Sequence, residues 1–136
     1  MPVAPPTFRP RGARTKREAR TEYDQRRGSA RERGYGARWD KTSTGFKHSH
    51  PLCLGCEAVG RTEATTITDH VIPHRGDMVV FWDSTKWQPS CDWHHSVVKQ
   101  KLEAMYEQGQ AKVDDLWLNS NKAIELTRNL RTGGGV

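Results

Sequence analysis

Residues 53–56, Cys-Leu-Gly-Cys, and residues 91–94, Cys-Asp-Trp-His, decide how this chain folds. Each holds two metal-ligating side chains two residues apart, the spacing of a zinc knuckle, where a tight turn brings both onto one ion. Gly55 suits such a turn. Cysteine occurs nowhere else among the 136 residues, and three is an odd number, which argues against a secreted disulfide framework. The spacing therefore predicts a Cys3His zinc site made of Cys53, Cys56, Cys91 and His94. With four protein ligands, that zinc is structural. It also meets a need. Hydrophobic residues are 34% of the chain and mean hydropathy is −0.87, so a core alone would hold it weakly. Metal binding of about 10–16 kcal/mol would supply what is lacking.

Between the two knuckles, residues 64–72 (ATTITDHVI) are rich in β-branched side chains and read as a strand. A loop, PHRGDMVVFWDST, follows. Residues 86–90 (KWQPS) read as a second strand, with Pro89 limiting it to an edge or an end. From His94 the pattern is helical, with Val98, Leu102, Met105 and Tyr106 on one face and Gly109 as the stop. A further helix is expected from about Asp114, with Val113, Leu116, Trp117, Ile124 and Leu130 as buried positions and an interruption at residues 119–121. A strand, a loop, a strand and a helix that returns to the first strand would gather Asp69, His70 and His95 around a pocket. Trp82, Trp87 and Trp93 are read as core around the zinc, and His48 and His50 as linker.

Outside this block the chain is basic and poor in apolar residues. The formal net charge is +6, and residues 9–41 carry twelve Lys/Arg against five Asp/Glu, so the rest is close to neutral. Four prolines in residues 1–10 predict an extended start, and residues 11–27 a short surface helix ended by Gly28. Tyr35 and Trp39 lie among arginines, where they suit nucleic acid or anchor the arm to the core. By itself such a basic run reads as a solvated, partly disordered tail; beside a nucleic-acid-binding core it would suit a phosphate backbone. No segment has the roughly 18–20 apolar residues of a membrane helix, and the start lacks a signal-peptide core, so a cytoplasmic protein is expected. The reading divides the chain into a basic, partly disordered or helical arm (1–47), a central domain (48–109), and a C-terminal helix with a Gly-rich tail (110–136).

Taken together, the stretch HPLCLGC…TDHVIPHRGDMVVFWDSTKWQPSCDWHHSVVKQKLE resembles the HNH endonuclease family, over about residues 48–103. The likeness is to its short stand-alone members, which bacteriophages encode near their packaging genes. The upstream YDQRRGSARERGYGARWDK is similar to the leader of such proteins. The resemblance implies an α+β fold, a zinc-stapled ββα-metal finger of treble-clef-like form, with the basic arm before it and a helix after it. It implies a metal-dependent DNA endonuclease, working in the host cytoplasm if phage-encoded, with terminase subunits as candidate partners. By position, Asp69 and His95 correspond to ligands of a catalytic Mg²⁺ or Mn²⁺, and His70 to the general base. Lys99 and Glu103 fall one and two helical turns after His95, where similar proteins often carry the same residue types; either Lys99 contacts phosphate and Glu103 the metal's outer shell, or the two form an ordinary exposed ion pair. Arg75 and His74 are candidates to bind substrate phosphate, although for His74 the favoured role is capping its loop.

Two positions depart from the family pattern. Lys86 stands where the family has the asparagine thought to bridge the loop and align the base, and a lysine offers no acceptor for that bridge. His94 ends the second knuckle where cysteine is commoner, a change that zinc accepts. The reading opposed to the nuclease is a zinc-finger module that binds nucleic acid without cutting it.

Overall fold

A computed structural model describes residues 15–27 and 35–132 of the chain. The expected extended start and the glycine-rich end lie outside the described residues. Those described form a small α+β fold of six α-helices and one two-stranded antiparallel sheet.

The sheet is short. Strand β1 (Ile67–His70) pairs with β2 (Trp87–Ser90) in the register Ile67↔Ser90, Thr68↔Pro89, Asp69↔Gln88 and His70↔Trp87. The expected first strand was longer. Ala64 instead makes an isolated bridge with Leu52, and beyond His70 only the bond from Val71 N to Lys86 O (2.9 Å) extends the ladder. Pro89 is tolerated because a two-stranded sheet leaves one edge of each strand without a ladder to break.

Helices surround the sheet. Before it come α1 (Lys16–Arg27), α2 (Ala37–Ser49) and α3 (Leu54–Ala58). The loop joining the strands is not irregular throughout. It contains α4 (Met78–Phe81), capped by Asp77 Oδ1 accepting from Val79 N (2.9 Å) and Val80 N (3.4 Å). It then forms a 3-10 turn (Ser84–Lys86), capped by Asp83 Oδ1 accepting from Thr85 N at 3.1 Å. Such carboxylate caps satisfy donors that a helix start otherwise leaves open. After β2, a π-helical turn (His94–Val98) leads into α5 (Lys99–Glu107), which ends before Gly109 in the left-handed region at φ 75°.

The last helix starts later than Asp114. Residues Val113–Leu116 make only a 3-10 turn, and α6 runs Asn121–Thr132. Ser120 restarts the helix: its Oγ accepts from Ala123 N (3.1 Å) and donates to Asp115 O (2.8 Å). Of the expected buried positions, Leu116 is fully enclosed, whereas Val113, Trp117, Ile124 and Leu130 are half-buried; Leu118 and Ala123 are enclosed instead.

Apolar side chains gather in two clusters. One joins Val71, Val98, Leu102, Leu116, Leu118 and Ala123. The other is aromatic, with Trp39, Phe81 and Trp87 buried and Phe46, Met78 and Trp82 against them. Trp82 and Trp87 thus do not surround the Cys53, Cys56, Cys91 and His94 cluster, contrary to the expectation. Trp93 alone of the three lies beside His94, with ring centroids 4.9 Å apart. Helix α2 runs through residue 47 and buries Trp39 in the aromatic cluster, while α6 packs on the Cys/His region. Residues on either side of 48–109 therefore share its core.

No helix among the described residues is long and apolar enough to cross a membrane.

Candidate functional site

Cys53 and Cys56 flank and enter α3, Cys91 follows β2, and His94 opens the π-helical turn. Their ligand atoms all lie within 4.8 Å of one another. His94 Nδ1 stands 3.6 Å from Cys53 Sγ and 3.4 Å from both Cys56 Sγ and Cys91 Sγ, and Cys56 Sγ is 3.8 Å from Cys91 Sγ. Tetrahedral bonds of about 2.3 Å to sulfur and 2.0–2.1 Å to nitrogen require edges of roughly 3.8 Å for S···S and 3.5 Å for S···N. The cluster has those edges, so the residues present fit a metal ion.

The turn of α3 is shaped around the histidine. A Cβ on Gly55 would stand 2.3 Å from His94 Cδ2 and 2.5 Å from its Nε2, so only glycine lets the imidazole lie flat on the knuckle. On the far side, His94 Nε2 meets Thr127 Oγ1 at 3.1 Å. Burial pushes Cys53 up, and burial together with the charges of Cys53 and Cys91 pushes Cys56 up to about 12. Without a metal, Cys53 and Cys56 therefore keep their protons, and a cation entering the cluster displaces them.

The next residue in the chain faces a different group. His95 Nδ1 donates to Asp69 Oδ1 at 2.8 Å. The other carboxylate oxygen, Oδ2, accepts from Gln88 Nε2 at 2.8 Å and lies 3.2 Å from Lys99 Nζ. Asp69 is 2% exposed, and burial alone would raise its pKa; the His95 hydrogen bond, the Lys99 charge and the Gln88 amide outweigh that and lower it. The same hydrogen bond raises His95. Register explains the arrangement: Asp69 and Gln88 are cross-strand partners.

His70 projects from the end of β1. Its Nε2 lies 3.0 Å from Phe81 O, and a carbonyl can only accept, so Nε2 carries the proton and Nδ1 holds the lone pair. Trp39 stacks on the ring at 4.9 Å between centroids and 22° between planes. Burial, with help from the nearby His74 charge, pushes His70 down to about 4. At neutral pH the side chain is an uncharged base. Asp69, His70 and His95 line one open cleft of about 320 Å³, with His74, Arg75 and Glu103 at its walls.

Compared with protein-family models, curated proteins and solved structures, the chain matches none.

The remaining expected residues divide by exposure. His74 caps its loop, Nδ1 accepting from Gly76 N at 3.1 Å, and its Nε2 then donates to Tyr35 Oη at 2.8 Å. Arg75, in the left-handed region at φ 48°, pairs with Glu107 at the surface. Lys99 corrects the expectation of a phosphate contact. It is fully buried, with Nζ donating to His70 O (2.7 Å) and Glu103 Oε1 (2.8 Å), so no cation is presented to solvent there. Lys86 uses its backbone to bridge the strands, while its ammonium stands 5.9 Å from the Trp117 ring. His50 stacks on Phe46 and His48 lies exposed, away from the cleft. Three residues of consequence carried no role in the sequence reading: Gln88, Thr127 and, beyond its use as an anchor, Trp39.

Proposed function

We propose that this chain is a metal-dependent DNA endonuclease of the HNH type, a ββα-metal finger whose Cys3His cluster holds structural zinc. One observation carries the proposal: a neutral histidine, its proton fixed on Nε2 and its Nδ1 left with the lone pair, lines the same cleft as a hydrogen-bonded carboxylate–imidazole pair. Water attack on a phosphodiester requires a base of that protonation state, and such a base contributes about 10²- to 10⁴-fold.

Asp69 Oδ1 and His95 Nδ1 are the groups that would hold one Mg²⁺ or Mn²⁺. Their 2.8 Å separation is near the edge, about 3 Å, of an octahedron with 2.0–2.1 Å bonds. When bound, the ion offsets negative charge on the phosphate and on the departing 3′ oxygen. Asp69 offers one oxygen only, because Gln88 and Lys99 occupy the other. His95 gives up its Nδ1 proton to serve as a ligand. His70 takes a proton from the attacking water at Nδ1, while Phe81 O holds its Nε2–H and Trp39 closes one face of the ring. The expected products are a 5′-phosphate and a 3′-hydroxyl. Arg75 and His74, on the cleft walls, are suited to flanking phosphates, and Glu103 to an outer-shell water.

Lys86 favours the second reading, a zinc-stapled module that grips nucleic acid without cutting. Against it, the tasks that the family gives to asparagine have other performers here: Lys86 O accepts from Val71 N, and Asp77 and Asp83 brace the loop that carries Phe81. A supercoiled-plasmid assay separates the two. The nuclease reading expects nicking with Mg²⁺ or Mn²⁺, none with EDTA, and a loss of about 10²-fold or more in a folded His70→Ala variant. Equal treatment of plasmid by wild type and His70→Ala would leave only the binding module. Association with terminase subunits belongs to the same proposal.

A further inference from the structure

The C-terminal helix meets the Cys/His cluster with one face. Ala123, Thr127 and Arg131 stand four residues apart along α6, so they line up on one side of it. Thr127 Oγ1 donates to Ala123 O at 2.7 Å, which commits the hydroxyl proton. The hydroxyl oxygen is then the acceptor for His94 Nε2–H, and this leaves the Nδ1 lone pair turned toward the three sulfurs. One turn on, the Arg131 guanidinium lies 3.9 Å from the Trp93 ring centroid, and Nη2 approaches Cys56 Sγ at 3.9 Å. Its Nη1 is buried without a hydrogen-bond partner among the described residues.

A buried guanidinium nitrogen with an unanswered N–H is costly unless negative charge lies beside it. Three thiolates and a neutral imidazole around a dication carry one net negative charge, which supplies that need. Protonated thiols supply none.

We infer that Thr127 and Arg131 form the outer shell of the metal centre, Thr127 fixing the His94 tautomer and Arg131 neutralising the thiolate charge. The inference rests on the cluster holding an ion and is independent of the nuclease reading. It makes α6, which contributes no ligand, a determinant of metal affinity; outer-shell partners of this kind are typically worth 10- to 100-fold.

The test uses the full chain and two ions. Co²⁺ binding, followed by thiolate charge-transfer absorption, reports whether the four ligands assemble; Zn²⁺ competition against a chromophoric chelator reports affinity. Wild type is expected to bind one ion at the cysteine cluster. Thr127→Val and Arg131→Met are expected to keep the Co²⁺ spectrum at saturation but bind Zn²⁺ about 10- to 100-fold more weakly. Thr127→Ser, which keeps the hydroxyl, and Arg131→Lys, which keeps the charge, are expected to recover most of the affinity. Wild-type affinity in the Val and Met variants would overturn the inference. So would failure of both Ser and Lys to restore it, since the loss would then be one of packing. A wild-type chain that binds neither ion would remove the metal centre itself.

Discussion

At the scale of single residues, two glycine- and lysine-sized details decide whether the centres can form. Gly55 leaves room for the His94 ring, and the bond from Nε2 to Thr127 Oγ1 holds that ring in place. Gly55→Ala is therefore expected to cost about 1–3 kcal/mol as an overpacked site, read as a lower thermal midpoint of the zinc-loaded chain. An unchanged midpoint would mean that the knuckle does not clamp the imidazole. Lys99 lies in the opposite situation, a buried cation that removes part of the charge on Asp69 while donating to His70 O. Its exchange for methionine leaves a buried carboxylate short of its partner, a loss of about 3–5 kcal/mol that urea unfolding should register. A neutral effect would show that Gln88 and His95 suffice for Asp69.

At the scale of elements, the π-helical turn is the link between the two centres. It holds His94 on the Cys cluster and sends the very next residue, His95, to Asp69. Single π-turns inside helices are frequent at functional sites. The ligand pairs, the two strands and the apolar face of α5 were all legible in the sequence, because spacing and periodicity are local properties. The π-turn was not: HHSVVK has no signature apart from an ordinary helix start. Lys99 was misread for a related reason. Its spacing from His95 and Glu103 puts all three on one helical face, but only the tertiary fold reveals that this face is turned inward at Lys99. Helix α2 is not legible because its glycine, threonines and serines give little helical pattern, and its hold on the molecule is tertiary: Trp39 stacked on His70, Ser43 bonded to Thr68 at 2.8 Å, and Phe46 against the aromatic cluster. Thr127 had no local signal at all.

At the scale of the whole molecule, proton uptake links the centres to folding. An unfolded histidine takes a proton near pH 6.5, whereas burial pushes His70 and His94 down to about 4 in the folded chain. Between those values the unfolded chain binds more protons, so stability falls as pH drops from 6.5 toward 4. Protons also compete with a metal for His94 and the thiolates, which acts in the same direction. Thermal midpoints at pH 7, 6 and 5 should therefore decline in that order, and a midpoint that rises on acidification would contradict the burial of these imidazoles.

The proposed function adds to the closed four-ligand cluster a second, open cation site at Asp69 and His95. Electron paramagnetic resonance of Mn²⁺ titrated into the zinc-loaded chain tests this most directly. The account predicts one bound Mn²⁺ per chain in wild type, its loss in His95→Ala, and zinc content unchanged in both. Mn²⁺ bound equally by His95→Ala, or displacing the zinc, would contradict it.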